Sequence, residues 1–173
     1  MTSKNSTNEL DSVEEVNVLL ANPFQKGAFV LIDSVVLDTI RRHRQIAATS
    51  PEAGGILLGY RRGIHIHVAH ATEPGIGDRA TRTSFHREDG SHADCALTLW
   101  RKTDQKVDYV GEWHTHPELS PHPSSVDHRA WKDILTKRED LFVFLIMGTH
   151  AKFWTGCGIR YEIRDVQEML SIA

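Results

Sequence analysis

Two histidines one residue apart, His114 and His116, are followed by Ser124 and Asp127 in the stretch GEWHTHPELSPHPSSVD, residues 111–127. On a strand, side chains alternate, so His114 and His116 share a face with Cα atoms about 6.6 Å apart. Two imidazoles placed that way can converge on one ion. Pro117 has no N–H to donate and ends the strand pairing. A helix is expected to begin near Ser124, which puts Asp127 in its first turn with a carboxylate able to reach back to the strand end. Two imidazoles and one carboxylate leave a fourth tetrahedral position for water, the pattern of catalytic rather than structural zinc. Zinc would lower the pKa of that water and polarise a carbonyl. A general base is then needed nearby.

Each half of the pattern also has a plain structural reading. Ser124-x-x-Asp127 fits a capping box, which stabilises a helix start without a metal. His114-x-His116 alone fits an exposed strand face. The chain supplies a comparison in His65-Ile66-His67, where Ile64, Ile66 and Val68 alternate with the histidines. With no aspartate at a following helix start, His65, His67 and His70 read as the polar face of a hairpin. Glu112 shares a face with His114 and reads as a sheet residue or a support to it. Glu118 and His122 lie in the following loop, Cys157 reads as a core thiol, and Thr83–His86 could order against an extended substrate by strand addition.

Several elements must position these groups. Residues 28–34, AFVLIDS, read as a strand. VVLDTIRRHRQIAA reads as a helix with Val36, Leu37, Ile40 and Ile46 at helical spacing. Its basic cluster Arg41, Arg42, His43 and Arg44 lies toward the negative end of the helix dipole. ILLGYRR and IHIHVAHAT form a hairpin turning at Gly63. Residues 74–90 read as a polar loop running into a short strand near Phe85. SHADCALTLWRKT reads as a helix with Ala93, Leu97 and Trp100 on one side. VDYVGEW is a strand, and SSVDHRAWKDILTK is a helix burying Val126, Ala130, Trp131, Ile134 and Leu135. LFVFLIM, AKFWTGCG and IRYEIRD supply further strands. The order β-α-β-β-α-β-α-β-β argues a mixed α/β fold with helices packed on a sheet.

The 173 residues suit one domain with a single core. A net charge of −3 offers no broad basic field, so nucleic acid is not an expected partner. The two cysteines, Cys95 and Cys157, make no CxxC pair, which fits a reducing cytoplasm and excludes a thiolate zinc cluster. Residues 1–16 read as a flexible polar leader with no apolar signal region. LFVFLIM is too short to span a bilayer.

Taken together, His114-x-His116-Pro117, the seven residues between His116 and Ser124, and Ser124-x-x-Asp127 resemble the HxH-x7-SxxD signature of the JAMM metalloproteases of the MPN/JAB family. The family's upstream glutamate before a glycine-rich strand start is matched by Glu52 in PEAGGILLG. The resemblance spans roughly residues 28–165. It implies a single MPN/JAB domain over residues 17–173, with a cytidine-deaminase-like mixed sheet and helices packed on it. It also implies one zinc ion on His114, His116 and Asp127, Glu52 as general acid/base, and Ser124 as oxyanion stabiliser. The implied reaction is cleavage after the C-terminal tail of a ubiquitin-like or conjugated protein. EWHTHPELSPHPSSVD and THAKFWTG are similar to the small prokaryotic JAB proteins of ubiquitin-like conjugation operons, including antiphage systems of the CBASS type, where a nucleotidyltransferase is conjugated through its C-terminus. Two other roles stay open: a peptidase trimming a sulfur-carrier or ubiquitin-like precursor, and a non-catalytic MPN scaffold. Oligomeric state is not legible.

Overall fold

The computed structural model describes residues 16–166 and 168–172; the polar leader lies almost wholly outside them. Among the described residues the elements run β1 (Asn17–Ala21), β2 (Phe29–Ile32), α1 (Ser34–Arg41), β3 (Gly54–Arg62), β4 (His65–Ala71), β5 (Arg79–Thr81), β6 (Ser84–His86), α2 (Ser91–Lys102), β7 (Val107–Thr115), α3 (Ser125–Leu135), β8 (Phe142–Met147), β9 (Phe153–Ile159), β10 (Glu162–Asp165) and β11 (Glu168–Ile172). Nine strands form one sheet in the order β10-β9-β8-β7-β3-β4-β2-β1-β11, and β5 and β6 form a separate hairpin. The pairs β2·β4 and β7·β8 are parallel, so the sheet is mixed as the sequence suggests. The outermost strands, β10 and β11, are separated in the chain by residues 166–167 alone. The sheet must therefore curl until its two edges approach. Arg164 on β10 donates to the Pro23 carbonyl at 2.7 Å and covers the Phe24 ring, bridging from one end of the sheet to the turn after β1.

Alternation sorts the core into two layers. Leu57, Trp113, Val143 and Leu145 face α1, where Val36, Leu37 and Ile40 are buried. Phe142, Phe144 and Ile146 face α3 through Trp131 and Leu135, while Ile56, Leu58 and Val107 meet α2. All six residues of β8 are buried, because this central strand, parallel to β7, is covered on both faces. His114 follows Trp113, so it projects on the α3 side.

Three expectations need correction. Helix α1 ends at Arg41, and Ile46 is 76% exposed. The cause is Gln45, which is buried and donates to the carbonyls of Ser50 and Arg82, drawing the chain inward and out of the helix. Of the basic cluster, only Arg41 stands in the helix; it pairs with Asp38, and Arg42 pairs with Glu73. Helix α2 keeps Ala93, Leu97 and Trp100 on one side but turns its other side inward. His92 is buried, and Cys95, Ala96 and Leu99 pack inward, whereas those three are exposed. Hydrogen bonds of the His92 ring to Thr72 and Asp78 hold that orientation. On α3, Trp131 and Leu135 are buried as expected, but Val126 and Ala130 are exposed, because this side of the helix walls a cleft. Strands β1 and β11 lie outside the expected set.

Candidate active site

The end of β7 and the start of α3 meet across the loop 116–124. Ser124 is the N-cap of α3: its Oγ accepts from the Asp127 N–H at 3.2 Å, and its own N–H donates to Asp127 Oδ2 at 2.6 Å. The capping box is therefore present, and it aims the Asp127 carboxylate at the strand end. His114 Nε2 and His116 Nε2 lie 3.0 Å apart. Asp127 Oδ1 is 3.3 Å from His114 Nε2, and Oδ2 is 3.5 Å from His116 Nε2. The capping and ligand readings of Asp127 hold at once.

These spacings provide a test of fit. Donors bound at about 2.0–2.1 Å around a tetrahedral zinc stand about 3.3 Å from one another. The two imidazole nitrogens at 3.0 Å, each with its nearest Asp127 oxygen at 3.3 or 3.5 Å, are compatible with that cage, and taking one ligand atom per residue the three lie within 4.8 Å of one another. His114, His116 and Asp127 form a group with the geometry to hold a metal ion.

Glu52 stands beside the group, with Oε1 3.9 Å from His116 Nε2, and only 7% of the residue is exposed. Burial above all, opposed by the His116 charge and aided by those of Asp127 and Glu118, pushes the Glu52 carboxyl up to about 7. Burial also works against the charge on Asp127, but hydrogen bonds from His114, His116 and Ser124 outweigh it and hold that carboxyl far below the usual range. His116 is raised: burial disfavours its cation, and the bond to Asp127 with the charges of Glu52 and Glu118 more than compensates. Two neighbouring carboxyls are thus pushed in opposite directions, the separation expected of an acid/base group beside a ligand.

A second layer holds these groups, and the sequence reading missed it. Thr115, between the two histidines, accepts from the Ala53 N–H at 3.0 Å and donates to Gln45 at 3.3 Å. The Glu52 N–H donates to Thr81 on the β5–β6 hairpin at 2.7 Å. Trp113 donates through Nε1 to the Thr72 carbonyl. The Asp78 carboxylate can only accept, so His92 Nε2 donates to it at 2.8 Å, leaving Nδ1 of the neutral ring to accept from the Thr72 hydroxyl at 2.6 Å; that hydroxyl itself accepts from the Ile56 N–H. Asp78 in turn accepts from the N–H groups of Gly75, Glu88 and Asp89. That chain ties the base of the 74–90 insert to the strand carrying the histidines. The Trp131 ring packs against His114 and stacks on Phe144 and Trp154. Single polar residues such as Gln45 and His92 carry no spacing signal, which is why they were not legible.

The cleft over the cluster has a volume of about 690 Å³. One wall is the hairpin from Thr83 to Glu88, and the other is α3 through Val126, Ala130 and Ile134. The Phe85 ring lies so close to β3 that a Cβ on Gly54 would meet it at 2.5 Å, so only glycine admits the hairpin there. Ser124 lines the same cleft. Glu112 sits on its floor, held by Tyr109 and Arg87, a supporting residue rather than a member of the cluster. Glu118 is exposed and 3.9 Å from His116 Nδ1. His122 is exposed and bonds to the Ser120 carbonyl. Cys157 is fully buried, its thiol pushed up to about 12 by that burial, and serves the core. The other His-x-His pair is absorbed locally. His65 accepts from the Phe29 N–H and stacks on its ring, and His67 bonds to Asp33 at 2.8 Å.

A mixed sheet delivers two imidazoles and a carboxylate to one point, with a buried glutamate beside them, a group that could hold a metal ion. Residues 33–156 match the prokaryotic homologs of the JAB domain, and the chain belongs to that family. Among similar proteins, one from Escherichia coli (strain TW11681) is 36% identical over 141 residues, covering 82% of this chain and 89% of its own length. One from Pseudomonas aeruginosa (strain BWHPSA011 / Pa011) is 40% identical over 60% of this chain and 66% of its own. One from Vibrio cholerae serotype O1 is 33% identical over 76% and 83%. All three carry the name CD-NTase/cGAS isopeptidase. The solution structure of a protein from Desulfitobacterium hafniense superimposes with a TM-score of 0.56 at 19% identity, covering 80% of this chain and 90% of that one, a likeness of fold.

Proposed function

We propose that this chain is a zinc-dependent isopeptidase that detaches a protein conjugated through its C-terminus. The substrate class follows from the relatives named CD-NTase/cGAS isopeptidase: the C-terminal tail of a nucleotidyltransferase of a CBASS-type antiphage system, joined to a target amine. The observation that carries the reading is the cage of His114, His116 and Asp127 at 3.0–3.5 Å with Glu52 buried beside it. Those three residues would hold one zinc ion. When bound, zinc supplies a Lewis acid that polarises the scissile carbonyl and acidifies water.

Glu52 performs the proton transfers. Its Oε takes a proton from the attacking water and passes it to the leaving nitrogen, so that amide and water become carboxylic acid and amine. A carboxyl lying near 7 can do both at neutral pH. The Ser124 hydroxyl, whose lone pair is engaged by the Asp127 N–H, keeps its proton to donate to the carbonyl oxygen as charge develops there. The hairpin and α3 clamp the extended tail between them. The unit is taken to span residues 17–173 and to work in the cytoplasm. No helix among the described residues is long and apolar enough to cross a membrane.

Glu52→Gln tests the reading. Cleavage of a nucleotidyltransferase isopeptide conjugate should fall at least about 10³-fold, in the range of a lost general base, while zinc content and folding persist. A variant that cleaves like wild type overturns the assignment.

A further inference from the structure

Helix α2 has more apolar surface than the fold uses. Cys95, Ala96 and Leu99 pack inward, yet Ala93, Leu97 and Trp100 form a second stripe at i, i+4 and i+7 that faces outward. Leu97 is 43% and Trp100 39% exposed, high for side chains of this size on one helix face. Trp100 also borders a groove shared with Tyr60, Arg62 and Lys106. Along the outer rim of the stripe stand Asp94, in the first turn, and Arg101, in the last. Each suits its own end of the helix dipole, but their spacing does more. At 100° per residue they fall on the same flank of the stripe, one on either side of Leu97 along the axis.

We propose that this face is the interface of a homodimer in which α2 of a second copy lies antiparallel across it, with the two-fold axis at Leu97. Such an axis reverses direction along the helix and preserves the flank. Asp94 lies three residues before Leu97 and Arg101 four after it, displacements of about 4.5 and 6 Å at a rise of 1.5 Å per residue. Asp94 of each copy therefore meets Arg101 of the other, and the two ion pairs form reciprocally while Leu97 packs on Leu97 and Trp100 on Ala93. The face is complementary to itself in both shape class and charge, as an isologous contact requires. A single helix pair buries little surface, so the dimer is weak and concentration-dependent. Among the described residues, no residue of α2 lines the cleft over the histidines, so both clefts stay open in the dimer.

Sedimentation velocity across a micromolar concentration series tests this. The wild-type mass should rise from the 19.5 kDa monomer toward twice that value. Leu97→Glu should stay monomeric at every concentration while keeping its circular dichroism and its cleavage activity. Asp94→Arg alone and Arg101→Asp alone should each weaken dimerisation about tenfold or more, because the two-fold axis doubles every like-charge contact. The combined D94R/R101D protein should recover the wild-type dissociation constant. A wild-type chain that is monomeric throughout, a dimer that survives Leu97→Glu, or a double variant that fails to recover overturns the proposal.

Discussion

His65 and His67 sit on β4, His114 sits on β7 with His116 just past its end, and β3 lies between those strands in the same sheet. The residue pattern is identical, but the surroundings are not. His65 and His67 open β4 just after the tight turn at Gly63, where the neighbours are Phe29 and Asp33. One imidazole accepts a backbone N–H and the other pairs with one carboxylate, so each has a local partner. His114 and His116 stand at the C-terminal end of β7, beside the parallel strand β8. There the N-terminus of α3 brings Asp127, and the chain before β3 brings Glu52. Open α/β sheets place ligands outside the carboxyl ends of their strands, and this sheet does the same. Topology, not the His-x-His pattern, separates a group with the geometry to hold a metal ion from a pair of locally bonded histidines.

The contrast is broken most directly by exchanging the targets. His116→Ala should remove stoichiometric zinc and lower cleavage by at least about 10³-fold, measured by metal analysis and turnover. His67→Ala should leave both within about twofold, so a zinc loss there would end the distinction.

Proton linkage sharpens it further. The folded protein holds the Glu52 proton up to about 7, whereas an unfolded glutamate releases it near 4.5. Below the lower value both states are protonated; as pH rises to the upper one, folding loses stability. In chelator-treated protein, Glu52→Gln should match wild type near pH 4.5 and gain on it up to pH 7, by up to about 3 kcal/mol at about 1.4 kcal/mol per pH unit. His116, also raised, loses the Glu52 part of its shift in the variant, which lessens its own decline and widens the gap in the same direction. Urea unfolding at several pH values measures the gap, and a gap that shrinks with pH contradicts the sign.

Gln45→Ala tests whether the second layer belongs to the cleft. It leaves the Thr115 hydroxyl and the Arg82 carbonyl without their partner, and should cost about 1–3 kcal/mol of stability with a fall in kcat exceeding any rise in KM. Smallest is the effect of His67→Ala on stability, about 1 kcal/mol for one hydrogen bond to a partly exposed carboxylate, followed by thermal melting.

The spacing of His114, His116, Ser124 and Asp127 was legible because strand and helix periodicities turn sequence distance into direction. Glu52 was legible only through family resemblance, since one acidic residue before two glycines has no periodic signature. Which side of α2 is buried was not legible, because apolar spacing gives two acceptable faces when Ala93, Ala96, Leu97, Leu99 and Trp100 nearly surround a helix. The choice is made by His92, whose partners Thr72 and Asp78 are distant in sequence. The early end of α1 likewise depends on Gln45 reaching the insert, a tertiary bond that overrides local propensity.

The hydrogen bond from the Glu52 N–H to Thr81 has a consequence for discrimination among substrates. Under the proposed function it fastens the proton-carrying residue to the hairpin that walls the cleft, so that the tail seating the hairpin would also set the carboxylate. A tail of the wrong shape would still enter, but it would leave the proton donor out of line with the leaving nitrogen. Selectivity of this kind is expressed in turnover more than in affinity, and a poor substrate becomes a slow one that still competes for the site.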